Sequence, residues 1–310
     1  MHAESLLLVG PEKLVWTLDN LDAPGPNEVL VETLAGAISI GTELPHYLGN
    51  SRGNARHYPA MTGYESVARV LSCGDEVDQL QLGDRIVAFY GHRTHAIIPA
   101  EKAIIVPNDV NDEVALLSIL SCDVAKGARK LAPEPGDAVL ITGGGTIGLL
   151  TLWTLVQNGL CQIDLVEPLL KRRELAVRFG ARAVVDTNDE AEIAANYAYG
   201  FECSSRDAAF GLLQRALRQN GDICVLADGN LEPLTLTPEF HSRELRIIGS
   251  SDGWDCQAHA KWFFEAARDQ ACLLMQLFEW HVTAEELPES FRQLAHGPER
   301  PLKVFVRYRS

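Results

Sequence analysis

Several things are scarce in this chain. Its seven cysteines (Cys73, Cys122, Cys161, Cys203, Cys224, Cys256 and Cys272) are scattered, odd in number and never spaced C-x-x-C. That excludes a disulfide framework and a clustered structural zinc site. Cys161, Cys203 and Cys224 lie among apolar residues and read as small buried hydrophobes. No block of lysine and arginine interrupts the acidity, and 27 basic against 42 acidic residues give a formal charge of -15. Such a chain repels a phosphate backbone, so nucleic acid is excluded as the ligand. No segment reaches the roughly 18 uninterrupted apolar residues of a membrane span. The opening Met1-His-Ala-Glu-Ser-Leu-Leu-Leu-Val lacks the cationic start of a signal peptide, and a cytoplasmic location is expected. Repeats and low-complexity tracts are missing as well.

What is present is a globular composition, 46% hydrophobic and 22% charged over 310 residues, long enough for two cores. The texture changes near residue 120. Before it, short alternating runs separated by Gly/Pro turns predict strands at Leu14 to Leu18, Glu28 to Leu34, Glu65 to Leu71, Arg85 to Phe89 and Ala96 to Ile98. After it, helices are expected over 114–120, 126–131, 174–179 and 210–218, alternating with strands at 139–142, 163–167, 183–185, 222–226 and 245–248. That alternation implies parallel crossovers. A long helix is expected within 258–278, and Leu302 to Tyr308 reads as a strand returning to the β-rich first part.

The strongest signal is Asp137-Ala-Val-Leu-Ile-Thr-Gly143-Gly144-Gly145-Thr146-Ile147-Gly148. It sits after an apolar strand, opens an apolar helix, and is followed 19 residues after Gly148 by Glu167 at the end of a second strand. Glycines permit a tight turn and close backbone approach to a pyrophosphate, the helix amides face the anion, and the acid accepts from ribose hydroxyls. Glu167 predicts NAD as the cofactor. NADP stays possible because Lys171, Arg172 and Arg173 follow closely.

The β-rich part, the nucleotide-binding middle and the C-terminal return resemble the medium-chain dehydrogenase/reductase superfamily. The resemblance is carried by Pro24-Gly-Pro-Asn-Glu28-Val-Leu-Val, Ile40-Gly41-Thr42-Glu43, Gly63-Tyr64-Glu65, Gly83-Asp84-Arg85-Ile-Val and the glycine motif with its preceding Pro135-Gly. It implies an α/β protein: a doubly wound Rossmann sheet over 123–251, and a β-rich GroES-like substrate domain over 1–122 completed by 252–310. The active site would lie in the cleft between them, and relatives commonly pair as homodimers. Zinc-dependent members read Cys-Gly-Thr-Asp and Gly-His-Glu, where this chain has Ile40 and Tyr64. The third ligand position falls near Ser118 or Ile119. Fewer than the three ligands of a catalytic zinc are available, so no zinc is expected.

Within the superfamily, Ser39-Ile-Gly-Thr-Glu43, Tyr58-Pro-Ala-Met-Thr-Gly-Tyr-Glu65 and Gly91-His-Arg-Thr-His95-Ala are similar to bacteriochlorophyllide hydroxyethyl dehydrogenases. That branch oxidises a hydroxyethyl group on a tetrapyrrole. Without metal, an oxygen on the carbon exchanging hydride needs a donor or a base. Tyr64 is the first candidate, although a tyrosine beside an apolar strand serves packing as readily as catalysis. Glu65 and Glu43 could orient it, and Thr42 could hold a substrate or nicotinamide oxygen. His46 and His95 could relay a proton, whereas His57 and His92 read as exposed loop histidines. Asp123, after Cys122, is a candidate contact on the cofactor side. Trp254, Trp262, Phe263, Phe264 and Trp280 read as core or subunit contacts sooner than as the roof of a large pocket. The expected activity is hydride transfer between nicotinamide and a small alcohol/carbonyl substrate. A quinone or enone reductase and a non-catalytic nucleotide sensor are the alternatives.

Overall fold

The computed structural model describes residues 1–50, 57–193, 195–227 and 232–308. In chain order the strands are β1 (His2–Gly10), β2 (Lys13–Asn20), β3 (Glu28–Ile38), β4 (Ala60–Met61), β5 (Glu65–Cys73), β6 (Arg85–Ala88), β7 (His95–Pro99) and β8 (Ile104–Ile105). They continue as β9 (Val139–Thr142), β10 (Ile163–Val166), β11 (Ala183–Val185), β12 (Tyr197–Glu202), β13 (Leu217–Val225), β14 (Arg246–Gly249), β15 (Phe278–Thr283) and β16 (Lys303–Arg307). They divide between two compact units, Met1–Ser118 with Ala260–Ser310, and Ile119–His259.

The first unit is β-rich. Its larger sheet has the order β15-β16-β3-β5-β6-β8, with β7 also on β3, and a smaller sheet has the order β2-β1-β4. β3 is the hub because its inward positions Val29, Val31 and Ala35 alternate as a half-buried strand requires. The last strand does return, pairing antiparallel to β3 with Val304 opposite Ile38. Beside it the helix Leu287–His296 packs Leu287, Phe291 and Leu294 onto a core that includes Leu6, Leu8 and Ile38. That amphipathic face needs a sheet to bury it.

The second unit is a doubly wound α/β sheet, wholly parallel, in the order β11-β10-β9-β12-β13-β14. The four residues of β9 are all buried, as in a parallel sheet covered on both faces. Trp153, on the following helix Thr146–Gln157, is fully buried. Strand order reverses between β9 and β12, and ligands of such sheets bind at the carboxyl ends of the strands flanking that reversal.

Four expectations need correction. The helical pieces at 114–120 and 126–131 are one helix, Asp112–Leu131. The long helix expected within 258–278 fills only the first half of that stretch, ending at Ala267 before short helical turns lead into β15. The helix expected to residue 218 ends at Ala216, since Leu217 pairs with Tyr197 in the sheet. Cys161, read as buried, is exposed in the turn before β10. The aromatic cluster also divides. Phe263 and Phe264 are buried in the first unit, whereas Trp254 belongs to the second, is half exposed and lies over Lys126.

One ionic contact sits in the core of the first unit. Lys303 Nζ meets Glu65 Oε1 at 2.6 Å, with side chains 1% and 0% exposed. Two buried charges are tolerable only as a pair. Lys303→Ala should therefore cost about 3–5 kcal/mol by leaving Glu65 uncompensated. The double variant Lys303→Met with Glu65→Leu should recover most of that loss in chemical denaturation. Equal loss in both variants would show that packing, not charge, dominates.

Candidate active site

The helix Ile40–Tyr47 follows β3 directly, with Ser39 at its N-terminus and Glu43 in its first turn. A carboxylate there complements the exposed amides of the helix start. Glu43 Oε1 accepts from the Ser39 backbone N–H at 2.8 Å, and Oε2 accepts from the Gly63 N–H at 2.9 Å. Gly63 has φ +75°, and a Cβ there would lie 2.7 Å from the His92 ring. Only glycine fits that turn without displacing the histidine. The turn delivers Tyr64 and Glu65 to the start of β5.

Thr42, Glu43, His46 and Tyr64 thus line one pocket of about 120 Å³, walled on its apolar side by Leu8, Tyr47, Met61 and Phe291. The side chains of Ser39 and Thr42 lie beside the Tyr64 phenol. Burial, then the charge of Glu65, push its phenol well above the usual range, with the Ser39 contact opposing. Tyr64 is therefore a neutral donor at ordinary pH. Glu65 does not line the pocket. It is paired with Lys303, its Oε2 has no hydrogen-bond partner among the described residues, and burial holds its carboxyl above the usual range against the opposing Lys303 charge. His46 lines the pocket and its Nδ1 is likewise without a partner.

The other histidines separate. His57 is exposed, and His95 lies beside Thr94 Oγ1 at 3.1 Å at the start of β7. His92, read from sequence as an exposed loop residue, is instead 2% exposed with Nε2 3.2 Å from Glu43 Oε2. Nothing in its local sequence marks this. Its burial depends on the Gly63 turn, on Phe291 edge-on at 6.2 Å and on Tyr308, whose hydroxyl is 3.5 Å from Nδ1.

In the second unit Gly143, Gly144 and Gly145 join β9 to the helix that starts at Thr146 and Ile147. A Cβ on Gly148 would lie 1.8 Å from the Gly143 carbonyl, so the helix can enter this close only as glycine. Glu167 is buried just beyond β10, accepting from the Gly144 N–H at 2.7 Å and the Leu169 N–H at 3.0 Å. The backbone amides at the helix start and this fixed carboxylate suit a pyrophosphate and a ribose. Asp123 lies one residue beyond Cys122 on the helix Asp112–Leu131. The Cys122 thiol is 3.4 Å from Cys256 Sγ, and burial pushes it up to about 12, so it is no thiolate at neutral pH.

A catalytic zinc fits poorly. At the positions the resemblance assigns to ligands stand Ile40, Tyr64 and either Ser118, whose hydroxyl is spent on the Ala115 carbonyl at 2.6 Å, or Ile119. Among the described residues no three His, Cys, Asp or Glu side chains are grouped to hold a metal ion.

Residues 25–102 match the alcohol dehydrogenase GroES-like domain. An L-threonine 3-dehydrogenase from Thermococcus kodakarensis is 31% identical over 198 residues, 54% of this chain and 56% of that enzyme. Another, from Vibrio parahaemolyticus, is 25% identical over 349 aligned positions, 96% of this chain and 97% of the relative. The chain thus spans just over half of the first enzyme and nearly all of the second. A dehydrogenase of Sinorhizobium meliloti 1021, assigned to the zinc-binding type and bound to NADP, has a TM-score of 0.86 at 19% identity, covering 99% of each chain. Residues 25–102 thus carry an alcohol dehydrogenase GroES-like domain. Over its whole length the chain shares its fold with the dehydrogenase of Sinorhizobium meliloti 1021.

Proposed function

We propose that the protein is an NAD(P)-dependent dehydrogenase that interconverts an alcohol and a carbonyl without a catalytic metal. The observation that carries this reading is Tyr64, a neutral phenol that lines one pocket with Thr42, Glu43 and His46 where zinc-type relatives are expected to place a ligand. When bound, the nicotinamide supplies or accepts hydride. The chain's own residues handle the oxygen. Tyr64 donates to the substrate oxygen and so stabilises the charge that develops there, and Thr42 fixes the direction of that phenol. The pocket has room for a small secondary alcohol or for the hydroxyethyl arm of a larger molecule. Leu8, Met61 and Phe291 favour an apolar substituent beside the oxygen.

Glu167 favours NAD. Its buried charge stands at the end of β10, where a 2'-phosphate would be repelled. Arg173 does not relieve that repulsion, because it donates to the Glu167 and Pro168 carbonyls and is paired with Asp186 at 2.8 Å.

Tyr64→Phe removes the hydroxyl and keeps the ring, so kcat should fall about a hundredfold with the NADH dissociation constant unchanged. Near-normal kcat would return Tyr64 to the pocket wall. In fluorescence titrations NADH should bind about tenfold or more tightly than NADPH, and the reverse order would sink the assignment to Glu167. Elemental analysis of the purified protein should find zinc far below stoichiometric. Stoichiometric zinc lost together with activity on chelation would overturn the metal-free reading.

A further inference from the structure

Behind the pocket lies a line of buried polar groups that the reading so far leaves unused. Glu43 is 6% exposed and lines the pocket, His92 lies behind it, and Tyr308 lies behind His92. Neither His92 nor Tyr308 lines the pocket. We propose that Glu43 is the proton acceptor of this pocket, and that His92 and Tyr308 are positioning residues that hold its carboxylate ready. The proposal deepens the dehydrogenase reading and rests on it.

The direction of each bond follows from the chemistry of the groups. Burial, with the charges of Tyr90 and Glu43 adding to it, keeps the Tyr308 phenol protonated. The Glu43 carboxylate can only accept, so in a neutral imidazole Nδ1 is left to accept from the Tyr308 hydroxyl and the ring proton sits on Nε2. From there it donates to Glu43 Oε2 at 3.2 Å. With the Ser39 and Gly63 amides, three N–H donors converge on one carboxylate. A carboxylate carries about four lone-pair sites, so one is left for a ligand.

The charges around this line complete the argument. Glu65 faces His92 from β5, but it is sealed from the pocket and its partner Lys303 on β16 is already committed. Arg93 and Tyr90 face Tyr308, and Tyr64 faces Glu43 across the pocket. The Glu65 charge is matched by Lys303 inside the core, so Glu43 is the carboxylate of this cluster that a substrate can reach. In alcohol oxidation the substrate O–H bond breaks and its proton passes to the Glu43 carboxylate. The O–H electron pair becomes the second C–O bond, while the C–H pair departs as the hydride. Reduction runs the same proton back.

Two measurements test the line. In cofactor-free protein the ¹⁵N spectrum of His92 should show the Nε2–H tautomer, and Tyr308→Phe should convert it to a mixture; an Nδ1–H tautomer in the unaltered protein would overturn the proposal. In turnover, Glu43→Gln should lower kcat about a hundredfold. Tyr308→Phe is the gentler variant and should lower kcat about fivefold, the worth of one neutral hydrogen bond, with KM and NADH affinity unchanged. Circular dichroism and thermal unfolding like those of the unaltered protein show that each variant is folded. Glu43→Gln with the kcat of the unaltered protein would end the proposal. The two failures are distinguishable: a chain that binds no dinucleotide fails the dehydrogenase reading, whereas one that binds and turns over without needing Glu43 fails the relay.

Discussion

The pocket depends on where the Glu43 carboxylate sends its hydrogen bonds. Its two oxygens take the Ser39 amide at the helix start, the Gly63 amide in the turn before β5, and the His92 ring after β6. Three segments far apart in the chain are thereby fixed to one charged group. Because the group is buried, each missing donor would leave it poorly solvated, and that penalty enforces the geometry. Tyr64 follows Gly63 directly, so the position of its phenol is inherited from this tether. Its contacts with Ser39 and Thr42 come from the same helix that carries Glu43.

The second unit solves a related problem with backbone instead of charge. Gly148 lets the helix Thr146–Gln157 start against the Gly143 carbonyl, and the helix amides point toward the ends of β9 and β12. Glu167 then locks the turn through the Gly144 amide. In both units a buried acid is committed to backbone amides. Such groups are preorganised, which is how a small number of side chains can act on an incoming charge without reorganising.

The sequence determined a good deal by itself. The glycine turn, β9, β10 and the acidic residue after them were legible because a parallel strand buried on both faces leaves a continuous apolar run, and positions 143 and 148 admit only glycine. The strands of β3, β5 and β6 were legible from alternation, and the return of β16 from its apolar pattern beside family order. Thr42, Glu43, His46 and Tyr64 were nameable from two short motifs, and the structure brings them to one pocket.

Only the tertiary structure decided the rest. β12 left no separable signal in Tyr197-Ala-Tyr-Gly-Phe-Glu202, yet it sits beside β9 and defines the strand reversal. Phe278 onward carries an apolar pattern a helix would share, and its pairing with β16 selected the strand. Glu65 was expected near the reacting oxygen and is committed to Lys303, 238 residues away in the chain. His92 was expected in solvent and stands behind Glu43. The reason is common to all four. Periodicity and turn chemistry are local and can be read along the chain, whereas burial of a charge or an imidazole depends on partners contributed by distant segments.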